Sequence, residues 1–187
     1  MKAELILVRH AQVAGRYSGR CYGRSNVELS PAGRRRSREL SALLARHRSA
    51  AVIHSGLCRS TFLAELLSSR LGADCRCCPE LCERDFGDWE LKPWQNLYQR
   101  HGDEMLRIIT EPETYRPGGG ETTFEVRDRV LRWFRGLSRA GGVTIAVTHG
   151  GPIATLRGVL LGRPVADWIQ LIPRCGESVS IDLNEAG

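Results

Sequence analysis

The sequence predicts an α/β protein in three layers, α/β/α, with helices over both faces of a mainly parallel central sheet. Three observations lead there. Five short apolar runs read as strands: Glu4 to Val8, Ala50 to His54, Cys75 to Pro79, Val143 to Thr148 and Ser178 to Leu183. Helical periodicities lie between them. Apolar runs also stop abruptly at chemistry-bearing side chains, as Leu5-Ile6-Leu7-Val8 does at Arg9-His10. In open α/β sheets, ligands sit beyond the carboxyl ends of the strands.

The helices follow in order. Ser30-Pro31 reads as an N-cap followed by proline at the first helical position, and Leu40, Leu43, Leu44 and His47 then share one face. Arg59 to Leu71 carries Phe62, Leu63, Leu66 and Leu67 at helical spacing. Thr122-Thr123-Phe124-Glu125 fits a capping box, continued by Val126, Val130, Phe134 and Leu137. A fourth helix begins around Pro152 and shows Ile153, Leu156 and Leu160. The segment 91–121 departs from this alternation. A polar, aromatic-dotted helical stretch (Trp94 to Ile109) is followed by a Pro- and Gly-rich run from Pro112 to Gly120. Such insertions commonly cap an active site, and the plain alternative is a surface excursion. The expectation is one domain over residues 1–187 with a cap at about 91–121.

Composition narrows the function classes. Hydrophobic residues make up 42% and charged residues 26%, which places the chain among globular proteins and not disordered ones. No apolar run approaches the roughly 18 residues of a membrane span, and no leader-like apolar region precedes Arg9-His10. A soluble, cytoplasmic protein is expected, with no membrane partner. The seven cysteines are odd in number, which favours reduced thiols. Cys75, Cys77, Cys78 and Cys82 lack the paired CxxC of a zinc site, and Cys77 and Cys78 point to opposite faces of a strand. No metal and no cofactor are expected. The net charge of +6 invites a nucleic-acid reading. However, Arg34-Arg35-Arg36 fan out by about 100° each around a predicted helix, and few aromatics are present to stack bases. No nucleic-acid partner is expected; a small molecule is.

The residues that carry chemistry are His10, Arg9, Arg59, Glu83 and His149. A neutral imidazole is a competent nucleophile toward phosphorus, and passage through a phosphoenzyme divides a difficult displacement into easier steps. Arg9 and Arg59 offer planar, permanently charged donors suited to a tetrahedral anion. His149, in Thr148-His149-Gly150-Gly151, follows a strand and opens a helix, where backbone amides at Gly150 favour anions. Glu83 is a candidate acid for the leaving group, crowded by Glu80, Asp85, Asp88 and Glu90, any of which could take that role on residue type alone.

Five segments in order resemble the histidine phosphatase superfamily, the phosphoglycerate-mutase-like group: Leu7-Val8-Arg9-His10, Cys21 to Gly33, His54 to Ser60, Leu81 to Glu90, and Gly119-Gly120-Glu121 followed by Val147 to Gly150. The resemblance spans roughly Leu5 to Gly162. It implies that fold, a phosphomonoester substrate, His10 as the phosphorylated nucleophile and Glu83 as proton donor. Arg9, Arg59 and His149 would complete the phosphate pocket, with Gly150, Tyr22 and Gly23 as further substrate contacts. The Cys21-Tyr22-Gly23-Arg24 and Asp85-Phe86-Gly87-Asp88-Trp89-Glu90 runs look most like the family's alpha-ribazole phosphatases of cobalamin biosynthesis, so alpha-ribazole 5′-phosphate is the expected substrate. A phosphoglycerate mutase, a broad-specificity phosphatase and a catalytically silent phosphate binder are the alternatives. The compact insertion and short tail favour hydrolysis over a mutase, which must shield its phosphoenzyme from water. Ala11, Gln12-Val13, Asn26 and His54-Ser55-Gly56 depart from the family's usual residues without removing a catalytic group.

Overall fold

The computed structural model describes residues 3–48 and 50–185. Its sheet has five strands in the order β3-β2-β4-β1-β5. They are β1 (Ala3–Arg9), β2 (Ala51–His54), β3 (Cys75–Cys77), β4 (Gly142–Thr148) and β5 (Ser178–Asp182). β1, β2, β3 and β4 pair in parallel, and β5 alone runs antiparallel, along β1.

Alternation along the strands builds two cores. Leu5, Leu7, Ile53 and Ala146 face one side. There they meet Val126, Val130 and Phe134 of α5 (Thr123–Arg135), and Ile153 and Leu156 of α6 (Gly150–Leu160). Ile6, Val8, Val52, Ile145 and Val147 face the other. They pack on Leu40 and Leu44 of α1 (Pro31–Leu44) and on Leu63 and Leu67 of α2 (Cys58–Leu71). Strands buried on both faces read as continuous apolar runs, which is why β1 and β4 were conspicuous.

The helix starts form as their residues require. Ser30 Oγ accepts from the Gly33 amide, and Thr122 with Glu125 makes the complete capping box. Three expectations need correction. The third strand stops at Cys77, because Pro79 has no amide to donate and begins a 3-10 turn, Pro79–Leu81. α1 ends at Leu44, so His47 lies beyond it, and Leu43 is exposed. The helical stretch expected over Trp94 to Ile109 is two short helices, α3 (Trp94–His101) and α4 (Arg107–Thr110), joined by a 3-10 turn. Gly102 makes the break: its φ of 50° and ψ of −130° lie outside the helical region. Arg34, Arg35 and Arg36 lie exposed on α1. No helix among the described residues is long and apolar enough to cross a membrane.

Candidate active site

The sheet register brings the two histidines together. Arg9 pairs with Thr148, and the His10 amide donates to Thr148 O at 2.9 Å, so His10 and His149 leave adjacent parallel strands at the same level. Their ring centroids are 5.1 Å apart. Both are buried. His10 Nδ1 lies 2.8 Å from Ala11 O. A carbonyl only accepts, so Nδ1 carries the proton and Nε2 keeps its lone pair. Burial, the Arg59 guanidinium and then Arg9 push the His10 pKa down to about 3. The ring is therefore neutral at physiological pH, as nucleophilic attack requires.

Arg59 sits in the first turn of α2, fully buried, and donates to Ser25 O at 2.8 Å and Gly23 O at 2.6 Å. Its Cζ lies 5.1 Å from the Tyr22 ring centroid. Arg9 Nη1 donates to Pro173 O at 2.8 Å. His149 Nε2 is 2.7 Å from Ser55 Oγ. What these groups leave unpaired is informative: Arg9 Nε, Arg59 Nε and His149 Nδ1 are buried and have no partner. An unsatisfied buried polar group costs roughly 1–3 kcal/mol. Three such atoms from the residues flanking His10 are matched by a ligand with several acceptor oxygens, such as a phosphoryl group. The 11-residue helix α6 starts beside them at Gly150, adding the positive end of its dipole.

Glu83 reaches the same place from the loop after β3. Its Oε1 accepts from the Arg84 amide at 3.0 Å and its Oε2 from the Gly151 amide at 3.2 Å. Only a glycine permits this approach, since a Cβ on residue 151 would lie 2.2 Å from Oε1. The neighbouring carboxylates are engaged or placed elsewhere. Glu90 accepts from the amides of Arg24 (2.7 Å), Ser25 (2.6 Å) and Phe86 (3.3 Å), Asp85 accepts from the Gly87 amide at 2.7 Å, and Asp88 is exposed.

The Glu83 loop is clamped from behind by residues that the sequence reading gave no role. Arg129 donates to Glu80 O (2.6 Å), Cys82 O (2.7 Å) and Glu83 O (3.2 Å) and pairs with Glu121 at 2.9 Å. Glu121 in turn accepts from the Asp85 amide at 3.0 Å. Its carboxyl pKa is lowered: burial opposes this, and Arg129, the Asp85 amide and Arg24 prevail. A signal for Arg129 was present. It occupies a core position of α5, between Val126 and Val130, where a charge needs a buried partner. Ser55, at the end of β2, gave no comparable signal.

A cavity of about 600 Å³ opens onto this site. Arg9, Tyr22, Gly23, Glu83 and Gly151 line its polar end. Phe86, Trp94, Ile108, Trp168, Ile169 and Ile172 supply apolar walls, and Arg20 and Arg84 also line it. Tyr22 packs against both His10 (6.4 Å between ring centroids) and Arg59. Gly150 sits behind Arg9, where a Cβ would be 3.4 Å from the guanidinium carbon.

The model of the histidine phosphatase superfamily (branch 1) matches residues 5–186. The chain belongs to the histidine phosphatase superfamily. A glucosyl-3-phosphoglycerate phosphatase of Mycobacterium tuberculosis is 30% identical over 176 residues, covering 88% of this chain and 78% of the relative. An adenosylcobalamin/alpha-ribazole phosphatase of Escherichia coli is 27% identical over 184 residues, covering 97% and 90%. The crystal structure of the alpha-ribazole phosphatase from Shigella flexneri superimposes with a TM-score of 0.83 at 26% identity, over 96% of this chain and 90% of that one. The expected fold and a phosphoric monoester hydrolase stand with these matches. The relatives carry different substrate names, a phosphoserine phosphatase of Arabidopsis thaliana among them.

All seven cysteines are free. Among the described residues, no group of three or more His, Cys, Asp or Glu side chains is placed to hold a metal ion.

Proposed function

We propose that the protein hydrolyses a phosphomonoester through a phosphohistidine on His10, and that alpha-ribazole 5′-phosphate is its substrate. His10 Nε2 attacks phosphorus and the ester P–O bond breaks. Arg9, Arg59, His149 and the Gly150 amide hold the phosphoryl oxygens. Glu83 gives its proton to the departing alkoxide and, as carboxylate, then takes one from the water that attacks the phosphohistidine. Inorganic phosphate leaves, and His10 and Glu83 return to their starting states. In phosphoryl transfer most of the catalysis is positioning and charge stabilisation, which these residues supply. The observation that carries the reading is the pairing of a neutral His10, its Nε2 left free by the Ala11 contact, with three unpartnered buried nitrogens.

The leaving-group side supports the substrate. Tyr22 and Gly23 contact it at the polar end, and the 91–121 segment caps it with Trp94 and Ile108. Together with Phe86, Trp168 and Ile172, these walls suit the flat apolar base of alpha-ribazole. A second reading, glucosyl-3-phosphoglycerate, is favoured by one observation: Arg84 Nη1 is buried without a partner at the cavity wall, and a glycerate carboxylate would suit it.

A phosphate-release panel tests both. It compares alpha-ribazole 5′-phosphate, glucosyl-3-phosphoglycerate, 3-phosphoglycerate and an aryl phosphate by kcat/KM, with alpha-ribazole 5′-phosphate expected to rank first. A higher kcat/KM for glucosyl-3-phosphoglycerate would replace the first substrate by the second. Absence of turnover on all four, or of an N-linked phosphoryl adduct on His10 in alkaline-quenched samples, would end the hydrolase reading.

A further inference from the structure

The contacts of His149 define a chain of hydroxyl groups behind the phosphoryl site. Ser55 Oγ lies 2.7 Å from His149 Nε2 and 2.7 Å from Ser60 Oγ. Ser60 Oγ is also 2.7 Å from Leu57 O. Ser55, Ser60 and His149 are all buried, so water does not complete their hydrogen bonds. Requiring one proton in each of the two contacts of Ser55 Oγ, with the Ser55 proton filling one of them, gives two arrangements. In the first, Ser60 donates to Leu57 O, Ser55 donates to Ser60, and His149 Nε2–H donates to Ser55, leaving Nδ1 bare. In the second, Ser60 donates to Ser55, Ser55 donates to Nε2, and the single ring proton sits on Nδ1.

The two differ in what they offer an anion. A bare Nδ1 turns a lone pair toward phosphoryl oxygens, whereas Nδ1–H donates to them. The second arrangement is open to the chain at little cost. Leu57 O keeps two amide donors when Ser60 turns away, Ser60 (2.8 Å) and Thr61 (3.0 Å), with Thr61 Oγ1, shared with His54 Nδ1, at 3.1 Å. We infer that Ser60, acting through Ser55, is a positioning device that holds His149 as the neutral Nδ1–H tautomer when a phosphoryl group is bound. The inference rests on the phosphatase reading of this site and assigns Ser55 and Ser60 the task of setting one proton. The surroundings agree. Burial first, then Arg59, His10, Arg129 and Arg9, press the His149 pKa well below its ordinary value, so the ring is neutral and the position of its one proton matters. Glu83 is the carboxylate held on the Gly151 amide in the same turn.

The test has two arms. In enzyme loaded with inorganic phosphate, ¹⁵N NMR of His149 is expected to show a protonated Nδ1 and an unprotonated, hydrogen-bonded Nε2. A protonated Nε2 with a bare Nδ1 would overturn the inference. In the second arm, Ser55→Ala is expected to lower kcat/KM on an aryl phosphate about 10- to 100-fold near neutral pH, by analogy with the loss of the hydrogen-bond partner that orients a metal-ligating histidine. Loss of the Ser55 donor raises the ring's basicity, and an imidazolium donates from both nitrogens. The deficit should therefore shrink as pH falls. Ser60→Ala should cost less, and nothing further in the Ser55→Ala background, because it acts only through Ser55. A pH-independent deficit, or additive losses, would overturn the inference while normal wild-type turnover left the phosphatase reading intact.

Discussion

Gly151→Ala separates the proton donor from the rest of the site. Gly151 is the second residue of α6 and has no positive φ, so alanine suits its backbone and should stabilise the fold by about 0.4–1 kcal/mol. The new Cβ would stand 2.2 Å from Glu83 Oε1 and 3.2 Å from its Cδ. Those atoms end a flexible side chain, so the carboxyl retreats while the helix stays. A retreat of about 1 Å removes the bond from the Gly151 amide, and a misplacement of that size in a reacting group costs roughly 10²-fold. That is about 2.7 kcal/mol of transition-state stabilisation. The loss should depend on the leaving group. An alkyl phosphate needs the proton from Glu83, whereas a nitrophenolate departs without one. The assay is kcat/KM, which reports the steps through phosphoryl transfer to His10, over esters whose leaving-group pKa spans several units, with thermal melts alongside. The expected result is a steeper dependence on leaving-group pKa at unchanged or slightly raised Tm. Equal losses on alkyl and nitrophenyl esters, or a lowered Tm, would refute the placement of Glu83 as the acid held by this amide.

Other consequences follow from the same contacts. Arg129→Met leaves Glu121 with Arg24 and the Asp85 amide but strips three backbone carbonyls of a donor, and urea denaturation should show a loss of about 1–3 kcal/mol; no measurable change would mean that the clamp contributes little. His10 and His149 both have folded pKa values below the unfolded 6.5, so the stability they contribute is present above pH 6.5 and lost as pH falls toward about 3 for His10. Their joint uptake of up to two protons gives a slope of up to about 2.7 kcal/mol per pH unit in that window. His10→Asn should remove one of these protons from the measured slope, and an unchanged slope would contradict the burial of a neutral ring. Arg84→Met should lower kcat/KM about tenfold or more on glucosyl-3-phosphoglycerate while sparing alpha-ribazole 5′-phosphate, if the unpartnered Nη1 serves a carboxylate; equal effects on both would remove the basis of the second reading. Added chelator should leave the rate unchanged, and a chelator-sensitive rate would revive a thiolate metal site.

The parts of this fold most legible in the sequence were those governed by local periodicity or by a strand end. β1 and β4 are continuous apolar runs because both faces are buried, and the residues that follow them must emerge at the sheet's carboxyl edge. Adjacency of His10 and His149 required more, namely that β1 and β4 pair directly, which periodicity does not state. The broken helix at Gly102 escaped because its polar residues satisfy a helical pattern on either side of one glycine. Glu83 was inseparable from Glu80, Asp85, Asp88 and Glu90 by residue type. Its distinction is a long-range contact to Gly151, 68 positions away. Ser55 was hidden for the same reason, since its partner lies 94 positions on.

Two frameworks meet at Glu83. The strand ends and the first turns of α2 and α6 hold His10, Arg59 and His149, which on the proposed function address the phosphoryl group whatever it is attached to. Arg129 and Glu121 hold the backbone of the Glu83 loop, and the carboxyl touches the first framework through the Gly151 amide alone among these bonds. The rest of the cavity is bounded by Tyr22, Phe86, residues of the 91–121 segment and the 3-10 turn Val165–Leu171. The walls at Trp94, Ile108 and Trp168 make none of the hydrogen bonds that hold His10, Arg59 or His149, whereas the Tyr22 segment carries Gly23 O and Ser25 O, to which Arg59 donates. On the proposed function, specificity is expected to rest on the cavity walls at Trp94, Ile108 and Trp168, outside the segments that carry the family resemblance, and on Arg84, within one of them.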